Sequence, residues 1–414
     1  MNAEIIAIGS ELLTPYRSDT NSLYLTEQLN RIGVEVVSKT VVGDDRERLA
    51  ATITLAWKRS DLVLTIGGLG PTEDDLTREC AAQALGKPLH SDPELAEAIE
   101  ARFRSRGVRM ASINLRQALR IEGAAVLPNS RGTAPGQWIE ADGKILILLP
   151  GPPRELEPMF EQSCLPRLRE KAPPAAICRR VLRITGLTES GVEEVVAAIY
   201  SRYGNPATTI LAAPGEIQLH LRGLGKDSSE AQAHMDELFP KLEAALGEYV
   251  FSTDGASLEE TVGRGLAARQ ATLAVAESCT GGLLAQRITS VSGSSAYFAG
   301  GIVCYSNRWK TEWLGVSQEM LDAQGAVSRE VAQALAEGVG RRAGSTFGVG
   351  ITGIAGPTGA TPEKPVGLVY IALAGPQGTE VRVNHYFGER EVVRWQATQT
   401  ALDLVRRALQ RSGR

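Results

Sequence analysis

Histidine is scarce in this chain: 414 residues carry only His90, His220, His234 and His385, and only His385 lies beyond residue 250. A nucleophilic serine or cysteine in the last third therefore lacks the usual imidazole base. Lysine is nearly missing from the same region, where Lys310 and Lys364 stand alone among many arginines. Arginine keeps its proton in proteins and cannot act as a base. The five cysteines (Cys80, Cys164, Cys178, Cys279, Cys304) are odd in number and contain no CxxC pair. That excludes a disulfide framework and a zinc site, and fits a reducing cytoplasm. No apolar run approaches the roughly 20 residues that cross a bilayer. The opening MNAEIIAIGSELL has no basic flank, so neither a secretory signal nor a membrane partner is expected. A net charge of −4 offers no basic footprint, so nucleic acid is not an expected partner.

What is present alternates. Glu4–Ile8, Val34–Val42, Asp61–Ile66 and Lys144–Leu149 read as strands. Asn21–Ile32, Arg46–Arg59 and a segment from PGPPREL to about Arg169 read as helices. This order predicts an α/β domain over 1–170 with a parallel sheet, whose ligands sit beyond the carboxyl ends of the strands. The stretch KAPPAAI (171–177) reads as a linker. Residues 178–250 then read as a small α+β module, with a hairpin in TTILAAPGEIQLHLRG, and 257–412 as a second α/β domain. The length suits two or three domains.

In the last domain ATLAVAESCTGGLLAQRI spells strand, turn and helix. Ser278 is raised on that turn as a candidate nucleophile, and the backbone N–H groups of Thr280, Gly281 and Gly282 are candidate oxyanion donors. An ordinary helix cap would use the same residues. Cys279 reads as a packing residue, because no histidine is at hand to form its thiolate. Lys310, in GGIVCYSNRWK, begins a helix just after a strand and can face the same sheet edge; as a base it needs a lowered pKa, and otherwise it is a solvated surface lysine. Gly353 and Gly356 of GITGIAGP allow substrate to approach the backbone, or simply form a tight turn.

In the first domain DLVLTIGGLGPTEDDLTREC ends a buried strand in Gly67, Gly68 and Gly70, followed by Glu73, Asp74 and Asp75. Glycine amides beside acids at a strand's carboxyl end suit a diphosphate and a divalent metal. Glu11, Asp19, Asp44 with Asp45, and Glu155 follow other strands, although acids at helix starts are also ordinary caps.

These motifs resemble a known family. AESCTGG, GSSAYFAGGIVCYSNRWK, GAVS, GITGIAGPTG and EKPVGLVYIA resemble the C-terminal domain of the CinA family, the nicotinamide-nucleotide amidase domain. The resemblance implies hydrolysis of nicotinamide mononucleotide by Ser278, assisted by Tyr305 and Lys310, with Asn307 near the substrate and no cofactor. GSELL, DTN, VGDD, GGLGPTEDDLT and LPGPPREL resemble the MoaB/MogA-like, molybdopterin-binding three-layer fold of the family's N-terminal domain. That implies an ADP-ribose pyrophosphatase with Asn21, Asp44, Thr72 and Asp74 at the substrate. A divalent ion of the Co2+ or Mg2+ class would sit at Asp75 and Glu155. The middle module resembles the family's KH-type insert but lacks a basic GxxG loop, which points to a connector and a homodimer rather than RNA binding. A second function class stays open: a nucleotide or pterin sensor linked to competence or DNA damage, with a degenerate N-terminal site.

Overall fold

The structure is a computed structural model that describes residues 1–172 and 175–411. The centre of the expected linker and position 412 of the last expected domain lie outside the described residues. Two compact units form: Met1–Cys178 with Leu224–Gln232, and Arg179–Gly223 with the chain from Ala233 onward. Most of the expected middle module falls in the second of these units.

The first unit runs β1 (Asn2–Ile8), α1 (Asn21–Arg31), β2 (Glu35–Val42), α2 (Arg46–Arg59), β3 (Leu62–Ile66) and α3 (Thr77–Leu85). A two-stranded pair, β4 (Leu89–Ser91) with β5 (Leu119–Ile121), brackets α4 (Pro93–Ser105). Then come β6 (Ala125–Leu127), β7 (Gly136–Ala141), β8 (Lys144–Leu149), α5 (Pro153–Met159) and α6 (Leu165–Lys171). The sheet order is β2-β1-β3-β8-β7-β6. The apolar runs LVLTI and KILILL are its two central strands, because only strands covered on both faces can be apolar throughout. Alternate residues divide between the faces. Ile5, Leu64 and Ile147 pack with Leu25, Leu29 and Phe160, while Ile6, Val63 and Leu146 pack with Leu49, Ile53 and Cys80. Each such leucine or isoleucine contributes roughly 1.5–3 kcal/mol by burial. The parallel sheet expected from the strand–helix alternation holds for four strands only. β7 pairs antiparallel with both β8 and β6, and it joins β8 through Asp142 and Gly143, whose φ of 53° and 73° make the two-residue hairpin turn.

Over residues 176–252 the strands β9 (Ala176–Ile184), β10 (Ala207–Ala213), β11 (Glu216–Gly225) and β12 (Val250–Ser252) build a sheet of order β10-β11-β9-β12, with α7 (Glu189–Tyr200) and α8 (Ser228–Leu246) between them in sequence. The C-terminal part begins at α9 (Leu258–Ala268), started by a capping box between Ser257 and Glu260. It continues with β13 (Leu273–Glu277), α10 (Leu283–Thr289), β14 (Phe298–Val303), α11 (Asn307–Leu314), α12 (Gln318–Gln324), α13 (Arg329–Ala343) and β15 (Phe347–Gly353). The hairpin β16 (Leu368–Gly375) and β17 (Gly378–His385) and the long α14 (Arg390–Arg411) complete it. The order is β14-β13-β15-β16-β17, with the first three strands parallel. Leu266, Leu284 and Leu402 cover one face, and Leu314, Leu335 and Val339 the other. No helix of the described residues is long and apolar enough to cross a membrane.

Candidate active sites

The turn after β13 is pinned from both neighbouring strands. Ser278 N donates to Ile351 O at 3.0 Å, and Cys304 N donates to Glu277 O at 2.9 Å. Ser278 thus stands, half-buried, just past the carboxyl edge of the sheet. Gly281 and Gly282 have φ of +61° and +94°, two consecutive left-handed positions that only glycine adopts at little cost. Glu277, 1% exposed, turns its carboxylate into the helix start. Its Oε2 accepts from Gly282 N and Leu284 N, both at 3.0 Å, and its Oε1 from Ala285 N at 2.8 Å.

Two of the three amides expected as oxyanion donors have partners within the protein. Gly282 N serves Glu277, and Gly281 N donates to Ser278 O at 3.2 Å. Among the described residues, the amides of Cys279 and Thr280 donate to no carbonyl or carboxylate, which leaves them available. The Thr280 hydroxyl is buried without a partner.

Lys310 is not a solvated surface lysine. It is 1% exposed, and its Nζ donates to Tyr305 O at 3.4 Å. Burial lowers its pKa from the ordinary lysine range, and the groups that oppose that shift are Cys304, Cys279 and Tyr305, its titratable neighbours. Burial also pushes the Cys279 thiol up to about 12 and the Cys304 thiol up to about 11, so both stay protonated at neutral pH. Tyr305 is 60% exposed, and its hydroxyl accepts from Arg390 Nη2 at 3.3 Å. Arg390 Nη1 donates to Gly356 O at 2.8 Å, and Arg394 donates through Nε and Nη2 to Thr280 O at 3.1 and 2.7 Å. These two arginines were not singled out from the sequence. Their signal is the spacing of four in GEREVVRWQ, which sets both on one face of a helix.

Other expected residues fare differently. Gly353 is explained by packing, since a Cβ there would meet Leu368 O at 2.7 Å. Asn307 is exposed on the first turn of α11, with no hydrogen bond to its side chain among the described residues. Lys364 donates to Gln324 O and Val327 O, each at 2.7 Å, and so latches its own loop.

In the first unit a cleft of about 480 Å³ opens past the carboxyl ends of β1, β3 and β8. Glu11, Asp44, Asp74, Asp75 and Glu155 line it together with Gly67, Gly68 and Gly70. Arg106, Arg131 and Arg154, which the sequence reading did not select, also line it. Gly67 and Gly68 have positive φ, and a Cβ would meet Ile8 O at 2.5 Å or Thr77 Oγ1 at 2.2 Å. Asp19, Asn21 and Thr72 fall outside the lining. Asp19 Oδ1 accepts from Ser22 N at 3.0 Å, and Asn21 Nδ2 donates to Gly151 O at 2.7 Å. Asp45 caps α2 by accepting from Arg48 N at 2.8 Å.

The expected metal ligands do not form a centre. Asp75 is engaged by its own loop, accepting from Gly70 N at 2.8 Å, Thr72 N at 2.9 Å and Thr72 Oγ1 at 2.5 Å. Glu155 Oε2 accepts from Asn129 Nδ2 at 2.8 Å. Among the described residues no three His, Cys, Asp or Glu side chains converge as a metal-holding group. Asp75 is thus tied to its own loop and Glu155 to Asn129, and both line the cleft.

Fold and sites together define a multidomain α/β protein with two separate clusters of polar residues, each at a sheet's carboxyl edge. Three family models match: the "Probable molybdopterin binding domain" over residues 4–170, the "Damage-inducible protein CinA KH domain" over 179–252, and the "CinA C-terminal domain" over 255–409. A CinA-like protein of Koribacter versatilis is 54% identical over 413 residues, covering 99% of this chain and 100% of that protein. Another from Solibacter usitatus is 51% identical, covering 99% and 98%. The chain belongs to the CinA family. Among solved structures, the competence/damage inducible protein CihA of Agrobacterium tumefaciens is 38% identical, covering 37% of this chain and 97% of that one, at a TM-score of 0.36.

Proposed function

We propose that the second unit hydrolyses the carboxamide of nicotinamide mononucleotide to the acid nucleotide and ammonia. The observation that carries this reading is the fully buried Lys310, its pKa lowered by burial, beginning its helix beside the strand edge that holds Ser278. The neutral amine takes the Ser278 proton as Oγ bonds to the amide carbon. The carbonyl electron pair moves onto oxygen, where the free amides of Cys279 and Thr280 are the available donors. Collapse breaks the C–N bond, and the Lys310 ammonium gives its proton to the departing nitrogen, which leaves as ammonia. Water then adds to the ester by the same route, releases the acid and restores Ser278. Arg390 and Arg394 supply cations for the phosphate of the nucleotide.

For the first unit, the arginine-rimmed cleft with its glycine turn supports a second reading: cleavage of ADP-ribose to AMP and ribose 5-phosphate. No step of it is assigned to a metal ion. Purified full-length protein incubated with each substrate tests both readings. Ammonia from nicotinamide mononucleotide, lost in Ser278→Ala and kept in Cys279→Ala, is the expected result; a wild-type protein that releases none overturns the amidase. AMP absent from the ADP-ribose incubation overturns the second reading.

A further inference from the structure

Asn129 stands half-buried in the connection between β6 and β7, and it is not part of the cleft lining. Its carboxamide nevertheless uses every hydrogen-bonding position it has. Oδ1 accepts from Arg131 N at 3.0 Å and Gly132 N at 2.6 Å, and Nδ2 donates to Ala134 O at 2.9 Å and Glu155 Oε2 at 2.8 Å. Its own carbonyl accepts from Arg102 Nη1 at 2.6 Å, while Arg102 Nη2 donates to Ser130 O at 2.8 Å. Gly132 is packed into this junction, since a Cβ there would collide with Glu155 Oε2. One residue therefore joins three segments, and each carries one arginine of the cleft wall. Arg131 is on the connection itself. Arg106 follows Arg102 by four positions, on the same helical face at the end of α4, a helix with only Ile99 buried. Arg154 is on α5, which Leu156 and Met159 anchor in the core.

We propose that Asn129 is a positioning residue for diphosphate binding in this cleft: it hangs Arg131 and Arg106 on the fixed helix that bears Arg154. The proposal rests on the nucleoside-diphosphate reading of the cleft and adds what holds its cations in place. An arginine on an exposed segment gives up much freedom when it grips a phosphate, and an unsupported surface charge contact is worth little. Fixing the backbone beneath the side chain removes part of that cost before the ligand arrives. An asparagine suits the task because one planar group presents two acceptor sites and two N–H donors. An aspartate has no N–H to give Glu155 and Ala134 O.

Calorimetric titration of the full chain with α,β-methylene-ADP, a nucleoside diphosphate analogue that resists cleavage, tests this through double-mutant cycles. In the wild type Arg106→Gln, Arg131→Gln and Arg154→Gln should each weaken binding about 10-fold. In the Asn129→Ala background Arg106→Gln and Arg131→Gln should each cost under about 3-fold, while Arg154→Gln keeps its full factor. In the Arg102→Gln background only Arg106→Gln should lose its effect. An amide that merely stabilises the fold would leave all three factors unchanged in both backgrounds, and that result overturns the proposal. If Asn129→Ala does not fold, Arg102→Gln, which removes no core group, decides alone. If the wild type binds the analogue and the three arginine variants bind it equally well, the positioning role falls and the diphosphate reading stands. If the wild type does not bind it, both fall.

Discussion

Lys310 Nζ lies 3.4 Å from the carbonyl oxygen of Tyr305, and among the described residues that is the one hydrogen bond its amine makes. An ammonium buried with a single long acceptor and no carboxylate partner is poorly compensated. Burial shifts the balance toward the neutral amine, and a neutral amine is what a serine nucleophile needs.

The first prediction is a pH profile. The acylation rate should rise with pH through the lowered pKa of Lys310 and level off before the ordinary lysine range. Lys310→Met should lower turnover by roughly 10²–10⁴ while substrate still binds. Lys310→Arg should be nearly as poor, because guanidinium stays protonated. A Lys310→Arg profile that matches the wild type in height and shape would remove Lys310 from the chemistry.

The same burial makes a stability prediction of definite sign. A base whose folded pKa is depressed costs stability in full below that folded pKa, and the cost vanishes as pH rises to the unfolded value of about 10.4. Lys310→Met should therefore raise Tm at neutral pH, with a gain that shrinks toward alkaline pH. A Tm loss at neutral pH would mean that the amine is better compensated than its contacts indicate.

Glu277 should act on the turn rather than on the substrate. Its carboxylate accepts from three amides, and an alanine would leave them buried and unpaired at roughly 1–3 kcal/mol each. Glu277→Gln retains one accepting oxygen, so it should fold, hold KM near the wild-type value and lose kcat about 10-fold or more. Equal changes in KM and kcat/KM with kcat intact would indicate a binding role instead.

Arg390 and Arg394 should matter to the phosphate. Arg394→Ala should raise KM for nicotinamide mononucleotide by about 10-fold or more, as loss of a charge-assisted contact does. Nicotinamide riboside, which lacks the phosphate, should be turned over equally by variant and wild type. A variant equally impaired on both would assign Arg394 to holding Thr280 O in place of contacting ligand.

Much of this was legible in the sequence, for identifiable reasons. LVLTI and KILILL announce central strands by unbroken apolarity, and the shortage of histidine and lysine in the last third draws attention to Lys310, which the structure buries. The antiparallel edge could also have been read, since the Asp142–Gly143 pair between β7 and β8 is a hairpin signal. What the sequence conceals is competition for partners. Gly282 looks like a free anion donor until its amide is seen to donate to the Glu277 carboxylate, and Gly281 until its amide is seen to donate to Ser278 O. Asp75, legible in the sequence as an acid at the sheet edge, also holds its own loop in shape through three hydrogen bonds. Arg390 meets Tyr305, 85 positions away, only through the tertiary fold, and no local pattern encodes that contact.

The most direct measurement is of the covalent intermediate itself. Protein mixed with nicotinamide mononucleotide, quenched in acid within the first turnover and digested, is examined by mass spectrometry for the peptide that contains Ser278 and Cys279. The account predicts the nicotinate nucleotide acyl group as an ester on Ser278, absent from Ser278→Ala and present in Cys279→Ala. A thioester on Cys279, or steady ammonia release by Ser278→Ala, would contradict it.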